Sequence, residues 1–286
     1  MKIRSTSLLL LLFLFPGCIQ TIALHSVGGL LDFGFQAFNE ESDLEIGRSA
    51  LASNLKLVEA LLKADPGNDR LMLYAAQGFD AYALAFAEDD SVERARALYR
   101  RGLEYGLEAL EKHGVPRAKV DGDEATFRLA LAQLSIDDVP AVFWTALSWG
   151  SYINVSRNET SAVADLPKVK AMMEFVMSKD STYYYGGAPL FFGNVEAVTP
   201  QALGGKPERA KDYFERALAM NGGKFLLTYV YYAKTYCVQT LNQELFESLL
   251  KKVDEASLDL LPEARFANTV AKQKAKVLRA HESELF

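Results

Sequence analysis

Two cysteines are the residues with the most reactive side chains in this chain, and their surroundings differ sharply. Cys18 closes the stretch MKIRSTSLLLLLFLFPGC. Lys2 and Arg4 give it a positive start, Leu8 to Phe15 form an unbroken run of eight apolar residues, and Pro16-Gly17 break that run. This is the build of a signal peptide. Eight residues fall far short of the roughly 20 that carry a helix across a bilayer. Cys237 lies in an apolar helical stretch, where a lone thiol is expected to pack as a small buried hydrophobe.

The four residues Phe15, Pro16, Gly17 and Cys18 resemble the lipobox of bacterial lipoprotein signals. Gly17 and Cys18 fit that pattern, whereas Phe15 and Pro16 depart from its usual Leu and small residue. The resemblance implies cleavage before Cys18 and acyl chains on its sulfur and amine; two or more chains hold a membrane stably. Residues 1–17 are thus expected to be removed, with residues 18–40 a lipid-anchored N-terminal segment. With Cys18 lipidated, Cys237 has no partner for a disulfide. Ile19 follows the cysteine rather than the Asp that retains enterobacterial lipoproteins at the inner membrane, so an outer-membrane location is favoured over an inner one.

Other chemistry is sparse. The chain has no nucleophile elbow, P-loop, dinucleotide fingerprint or zinc-binding helix motif. His25, His113 and His281 are far apart and lack metal-ligand spacing. Asp121, Asp123 and Glu124 surround Gly122 without the remaining ligands of a calcium loop. Asp137-Asp138, just before Pro140, reads as a helix N-cap. Asn154-Val155-Ser156 and Asn158-Glu159-Thr160 match the glycosylation pattern by chance. The formal net charge is −6, and loss of residues 1–17 would remove two cations and no acid. An acidic body without a basic run is a poor nucleic-acid binder. We therefore expect no enzyme, no catalytic residue, no metal, no cofactor and no nucleic-acid partner.

Aromatic side chains are the more informative candidates. Residues 139–155, VPAVFWTALSWGSYINV, are apolar nearly all round and carry Phe143, Trp144, Trp149 and Tyr152. Residues 183–192, YYYGGAPLFF, form an irregular aromatic segment with Tyr183, Tyr184, Tyr185, Phe191 and Phe192. Tyr229, Tyr231, Tyr232 and Tyr236 make a third cluster. Of these, Phe143, Trp144, Trp149, Tyr152, Tyr183, Tyr184, Tyr185, Phe191, Phe192, Tyr229 and Tyr232 are the candidates for lining a cavity that takes an apolar or amphipathic ligand. The competing reading is ordinary core packing, since aromatics carry much of the burial in any helical protein.

The elements that would position them are helices. Leu51, Leu55, Val58 and Leu62 fall on one helical stripe, Asp65-Pro66-Gly67-Asn68 ends it, and Asn68 is placed to cap the next helix. Leu71, Ala75, Phe79, Tyr82 and Phe86 repeat the stripe, with small residues among them that allow a close neighbour. Asp90 with Glu93 predicts a capping box for a third helix, which stops near Gly114 and Pro116. Further on, Pro207 opens a helix that Gly222-Gly223 closes, another starts near Gln243, and a last helical stretch runs from about Pro262 to Leu278. No segment alternates with a period of two. The fold expected is all-α, a compact array of about ten to twelve helices in helical hairpins over residues 41–286.

Residues 57–86 (LVEALLKADPGNDRLMLYAAQGFDAYALAF) and 207–236 (PERAKDYFERALAMNGGKFLLTYVYYAKTY) resemble tetratricopeptide (TPR) repeats. No 34-residue period runs through the chain, so divergent TPR-like hairpins fit better than a regular solenoid. Three longer pieces are similar to the TRAP-transporter T-component (TatT) lipoproteins: residues 43–89, residues 140–154, and YYYGGAPLFFGNVEAVTPQALGGKPERAKDYFERAL at 183–218. The last is the most specific, because a Gly–aromatic stretch leads through Pro200 and Leu203-Gly204-Gly205 into an Ala/Phe helix. The resemblance implies a periplasm-facing lipoprotein of the bacterial cell envelope, a homotrimer whose protomers each hold a hydrophobic channel. It also implies association with the substrate-binding protein of a tripartite ATP-independent periplasmic (TRAP) transport system, and transfer of a small hydrophobic ligand. The alternative is a TPR-type lipoprotein scaffold that binds protein without ligand.

Overall fold

The computed structural model describes residues 31–199 and 204–286. The signal peptide, Cys18, Ile19 and His25 lie outside the described residues, as does part of the Pro200–Gly205 stretch. Among the described residues there are 14 helices, 12 of them seven residues or longer, and no strand. None of these helices is long and apolar enough to cross a membrane.

A helical segment over 31–39 leads into α1 (Leu44–Ala64), capped by Asp43, whose side chain accepts from the amides of Glu45 and Ile46. Its buried stripe is Leu51, Leu55, Val58 and Leu62, the spacing read from the sequence. Asn68 caps α2 (Asp69–Phe86) by accepting from the Leu71 amide. The two helices form a hairpin over the first repeat-like window. Next comes α3 (Val92–Lys112). Its cap is Ser91, which accepts from the Arg94 amide, and not Asp90 as expected. Both side chains can cap, and the structure starts the helix one residue later.

The middle of the chain forms α4 (Glu124–Leu131), α5 (Val139–Val155) and α6 (Leu166–Lys179). Ten of the residues in α5 are buried, so this helix is the centre of the first core, as its all-round apolar sequence requires. Two glycines of α3 let α2 and α5 close on it. A Cβ on Gly102 would sit 2.9 Å from Asp80 Oδ1, and one on Gly106 would sit 2.9 Å from the Thr145 Cα.

The second core is built by α7 (Tyr183–Val198), α8 (Pro207–Asn221), α9 (Leu227–Tyr231), α10 (Gln243–Glu255) and α11 (Arg265–Ala280). Pro207 stands in the first turn of α8, and Gly222 ends it in the left-handed conformation. The helix of α9 widens to π-helical geometry over Tyr232–Cys237. The second repeat-like window is thus also a helical hairpin, α8 against α9. Phe214, Phe225, Tyr232, Phe246 and Leu250 fill this core.

Candidate functional site

The two cores meet along a seam, and Tyr184 touches both. On one side its ring centroid lies 4.6 Å from Trp144 and 5.5 Å from Phe143, both on α5. On the other it lies 5.6 Å from Phe225. Tyr185 stacks on Phe225 at 4.8 Å, and Tyr183 sits edge-on to Phe143 at 5.1 Å. Six aromatic rings therefore form one continuous cluster between the cores.

The backbone is irregular in two places, the first at the seam and the second within the second core. Tyr184, Tyr185 and Gly186 are all left-handed, with φ of 47°, 60° and 80°. Glycine adopts this region freely, but each tyrosine there costs about 1–2 kcal/mol. The turn is held by the Gly186 amide, which donates to the Thr182 carbonyl, and by Asn221 Nδ2, which donates to the Tyr185 carbonyl at 3.1 Å. Residues 187–198 then run as a regular helix, so only the start of the 183–192 segment is irregular. The second irregularity is the π-helical stretch that begins just after Tyr231. Strained left-handed residues and π-turns both concentrate at functional sites.

Polar groups lie among the aromatics. Asp80, on α2, is 5 % exposed. Its Oδ2 accepts a 2.7 Å hydrogen bond from Ser148 Oγ on α5, while its buried Oδ1 has no partner. Burial pushes this carboxyl well above the usual Asp range, against the smaller opposing effect of the Ser148 bond. Tyr99, one turn before Gly102 on α3, is 2 % exposed. Desolvation raises its hydroxyl well above the usual tyrosine range, and the nearby charges of Glu88, Asp80 and Asp89 add to that. Tyr231 is raised likewise, by burial and then by Glu88 and Asp89. Those two acids hold the buried Lys274 of α11, at 3.0 Å and 2.9 Å.

Several expected site residues lie elsewhere. Trp149 is buried in the first core and Tyr152 packs partly against Tyr99's cluster. Phe191 and Phe192 pack against the first core, with Phe192 also bordering the outer surface. There Phe192 stacks on Tyr213 at 5.4 Å, in a surface groove of about 430 Å³ shared with Lys170, Glu174 and Arg209. Tyr232 stacks on Phe214 at 4.7 Å inside the second core, and Tyr229 lies beneath Lys252. The eleven aromatics are therefore distributed over the seam, both cores and the rim of an outer groove. Asp80, Ser148, Tyr99 and Lys274 were not singled out from sequence as site residues. The available signal was an acid, Asp80, directly after Phe79 on an otherwise apolar stripe.

The remaining polar candidates have structural partners. Asp123 caps α4 through the Thr126 amide, and Asp121 faces Arg117. Asp138 stands at the N-terminus of α5 without bonding that helix. Its carboxylate instead accepts from Ser135 N and Oγ and meets His113 Nδ1 at 2.6 Å. Cys237 is fully buried, and desolvation pushes its thiol up to about 12.

A family model described as TRAP transporter T-component matches residues 40–286. The chain belongs to that family. Among curated proteins, this T-component is similar to an uncharacterized protein of Treponema pallidum (strain Nichols). The two are 24% identical over 267 residues, covering 88% of this chain and 83% of the relative. Family membership gives an accessory role in TRAP transport and places the T-component in the cell envelope. The helical hairpins and the seam are the structure in which that role must be carried out.

Proposed function

We propose that this T-component is a periplasm-facing lipoprotein, anchored through Cys18, that binds the substrate-binding protein of its TRAP system and passes it a small ligand with an apolar body. The observation that carries the ligand-handling part is the seam. Six aromatic rings and a run of left-handed residues meet there between two separately packed cores. A purely structural core would be expected to relax its tyrosines out of the left-handed region. The protein works as a homotrimer in this reading, as the family resemblance implies, and the anchor keeps the seam near the outer-membrane surface where an apolar ligand is concentrated.

Co-purification of the acyl-free protein with the substrate-binding protein of the same transport system tests the partner. Absence of a complex across a range of ligand loads would reject it. Native mass spectrometry of the gently purified protein reports the trimer and any retained ligand in one measurement. For the anchor, metabolic labelling with palmitate should be lost in Cys18→Ser.

A further inference from the structure

The helical segment over 31–39 has two unlike faces. One fastens it to the body. Phe35 stacks on Tyr74 of α2 with ring centroids 3.9 Å apart, and Phe38 is buried against Phe266 of α11 at 4.4 Å. Asp32 pairs with Arg70 and accepts from the Tyr74 hydroxyl. The other face is open. Phe33 is 70 % exposed, the most exposed phenylalanine among the described residues. Ala37, one turn further on, is exposed as well, and a Cβ on Gly34 beside them would meet open space. Gln36, also exposed, is polar but uncharged. A helix that is itself fixed therefore turns one aromatic ring outward, among small and uncharged neighbours.

The position of this face in the chain says what covers it. Between Cys18 and Glu40 the one formally charged residue is Asp32, and Arg70 neutralises it. The acids resume at once, with Glu40, Glu41, Asp43 and Glu45. In a chain of net charge −6, the uncharged stretch thus runs from Cys18 through the open face and ends with it. Charged side chains are costly in the apolar layer of a bilayer, so a stretch without them suits contact with lipid. Twelve residues, 19–30, separate Cys18 from Leu31. The connection can span at most about 45 Å, so lipid on Cys18 keeps the body near the membrane without setting its orientation. A protein partner fits poorly, because specific interfaces engage about 20–30 residues a side. An aromatic ring among small residues matches the headgroup boundary, where amphipathic helices lie with their apolar side inserted.

We propose that the open face of segment 31–39 is the body's seat on the membrane. Phe33 enters the boundary between headgroups and acyl chains, and Gly34 and Ala37 let the helix lie close to it. Lipid on Cys18 supplies the attachment, and Phe33 supplies the orientation. One ring is too little to hold a protein at a bilayer alone, so the seat operates only behind the anchor. This rests on the Cys18 anchor of the reading above and adds the surface that meets lipid.

Tryptophan placed on the face reads this directly. The mature, acylated protein carrying Phe33→Trp or Ala37→Trp is reconstituted on vesicles of dioleoylphosphatidylcholine and of its dibrominated analogue. The parent's emission, from the buried Trp144 and Trp149, is subtracted. Leu129→Trp, at a position also 70 % exposed but on α4, is the reference. On vesicles, the emission of both face probes should move to shorter wavelength and be quenched by the brominated lipid, while Leu129→Trp stays unshifted and unquenched. An equal response at all three positions would mean a body that tumbles on its tether, and would overturn the seat. No response at the face, in protein that sediments with the vesicles, would also overturn it; in both cases the anchor stands. A blue shift without quenching, with an oligomer that Phe33→Asp dissociates, would put a second copy on the face instead. Absence of palmitate label on Cys18 would remove the anchor, and the seat with it.

Discussion

Ser148 on α5 donates a 2.7 Å hydrogen bond to Asp80 on α2, across a crossing where Gly102 of α3 leaves just enough room for the two side chains. This pair ties three helices together with a carboxyl that burial keeps far above its usual range. An unfolded Asp titrates near about 3.9. Between that value and the raised folded value the native state binds the proton more strongly, so the pair's contribution to stability is complete in acid and declines as pH rises. Asp80→Asn keeps an acceptor for Ser148 and removes the ionisation. The variant should be more stable than the parent at pH 8, and its advantage should shrink towards pH 4. Denaturant unfolding at the two pH values measures this; equal differences at both would show that Asp80 ionises freely in the fold.

Tyr184 is the test of backbone strain. Replacing a buried aromatic by Ala costs about 3–5 kcal/mol in a typical core. Ala would also stay in the left-handed region, whereas Gly adopts it without the penalty. Tyr184→Gly should therefore be about 1 kcal/mol more stable than Tyr184→Ala, the reverse of the order inside an ordinary helix. Thermal unfolding of the two variants side by side reads this directly. If Ala is the better tolerated, the turn is not left-handed in solution.

A third consequence concerns the crossing of α3 and α5. A methyl group at Gly106 would press on the Thr145 backbone as well as its side chain, so the helices themselves must move apart. Gly106→Ala should cost about 1–3 kcal/mol, as overpacking does elsewhere, despite the better helix propensity of Ala. A variant as stable as the parent would mean that the helices are less closely set than 2.9 Å implies.

Much of the scaffold was legible in the sequence, because helix stripes and caps are local. Asn68, Pro207 and Gly222 act where their side chains and backbone preferences place them. The Ser91 cap was missed by one residue, since Asp90 carries equivalent chemistry. Asp138 does act as a capping side chain, but in a capping box with Ser135 on the short turn before α5 and not on α5 itself; its contact with His113, 25 residues away, is one that no local pattern encodes. The seam was legible only as aromatic abundance. An acid on a helix ordinarily points to solvent; the burial of Asp80 depends on Ser148, 68 residues on, and on a glycine of a third helix. Left-handed tyrosines leave no compositional mark either, because their conformation is imposed by packing on both sides of the turn.

Lys274 gives the sharpest electrostatic prediction. Its side chain is 7 % exposed and Glu88's is 10 %, so neither can rehydrate easily if the other is lost. Asp89, at 39 %, can turn towards solvent. Lys274→Met should accordingly cost about 3–5 kcal/mol, chiefly through Glu88 left charged and unpaired. Removing that charge as well, in Lys274→Met/Glu88→Gln, should recover much of the loss, while Lys274→Met/Asp89→Asn should recover little. Because Glu88 and Asp89 close α2 and Lys274 lies on α11, the same substitutions loosen the contact between the first and last parts of the fold. A double-mutant cycle by denaturant unfolding separates these cases. If both double variants recover equally, the two acids share Lys274 evenly and the difference in their burial has no energetic consequence.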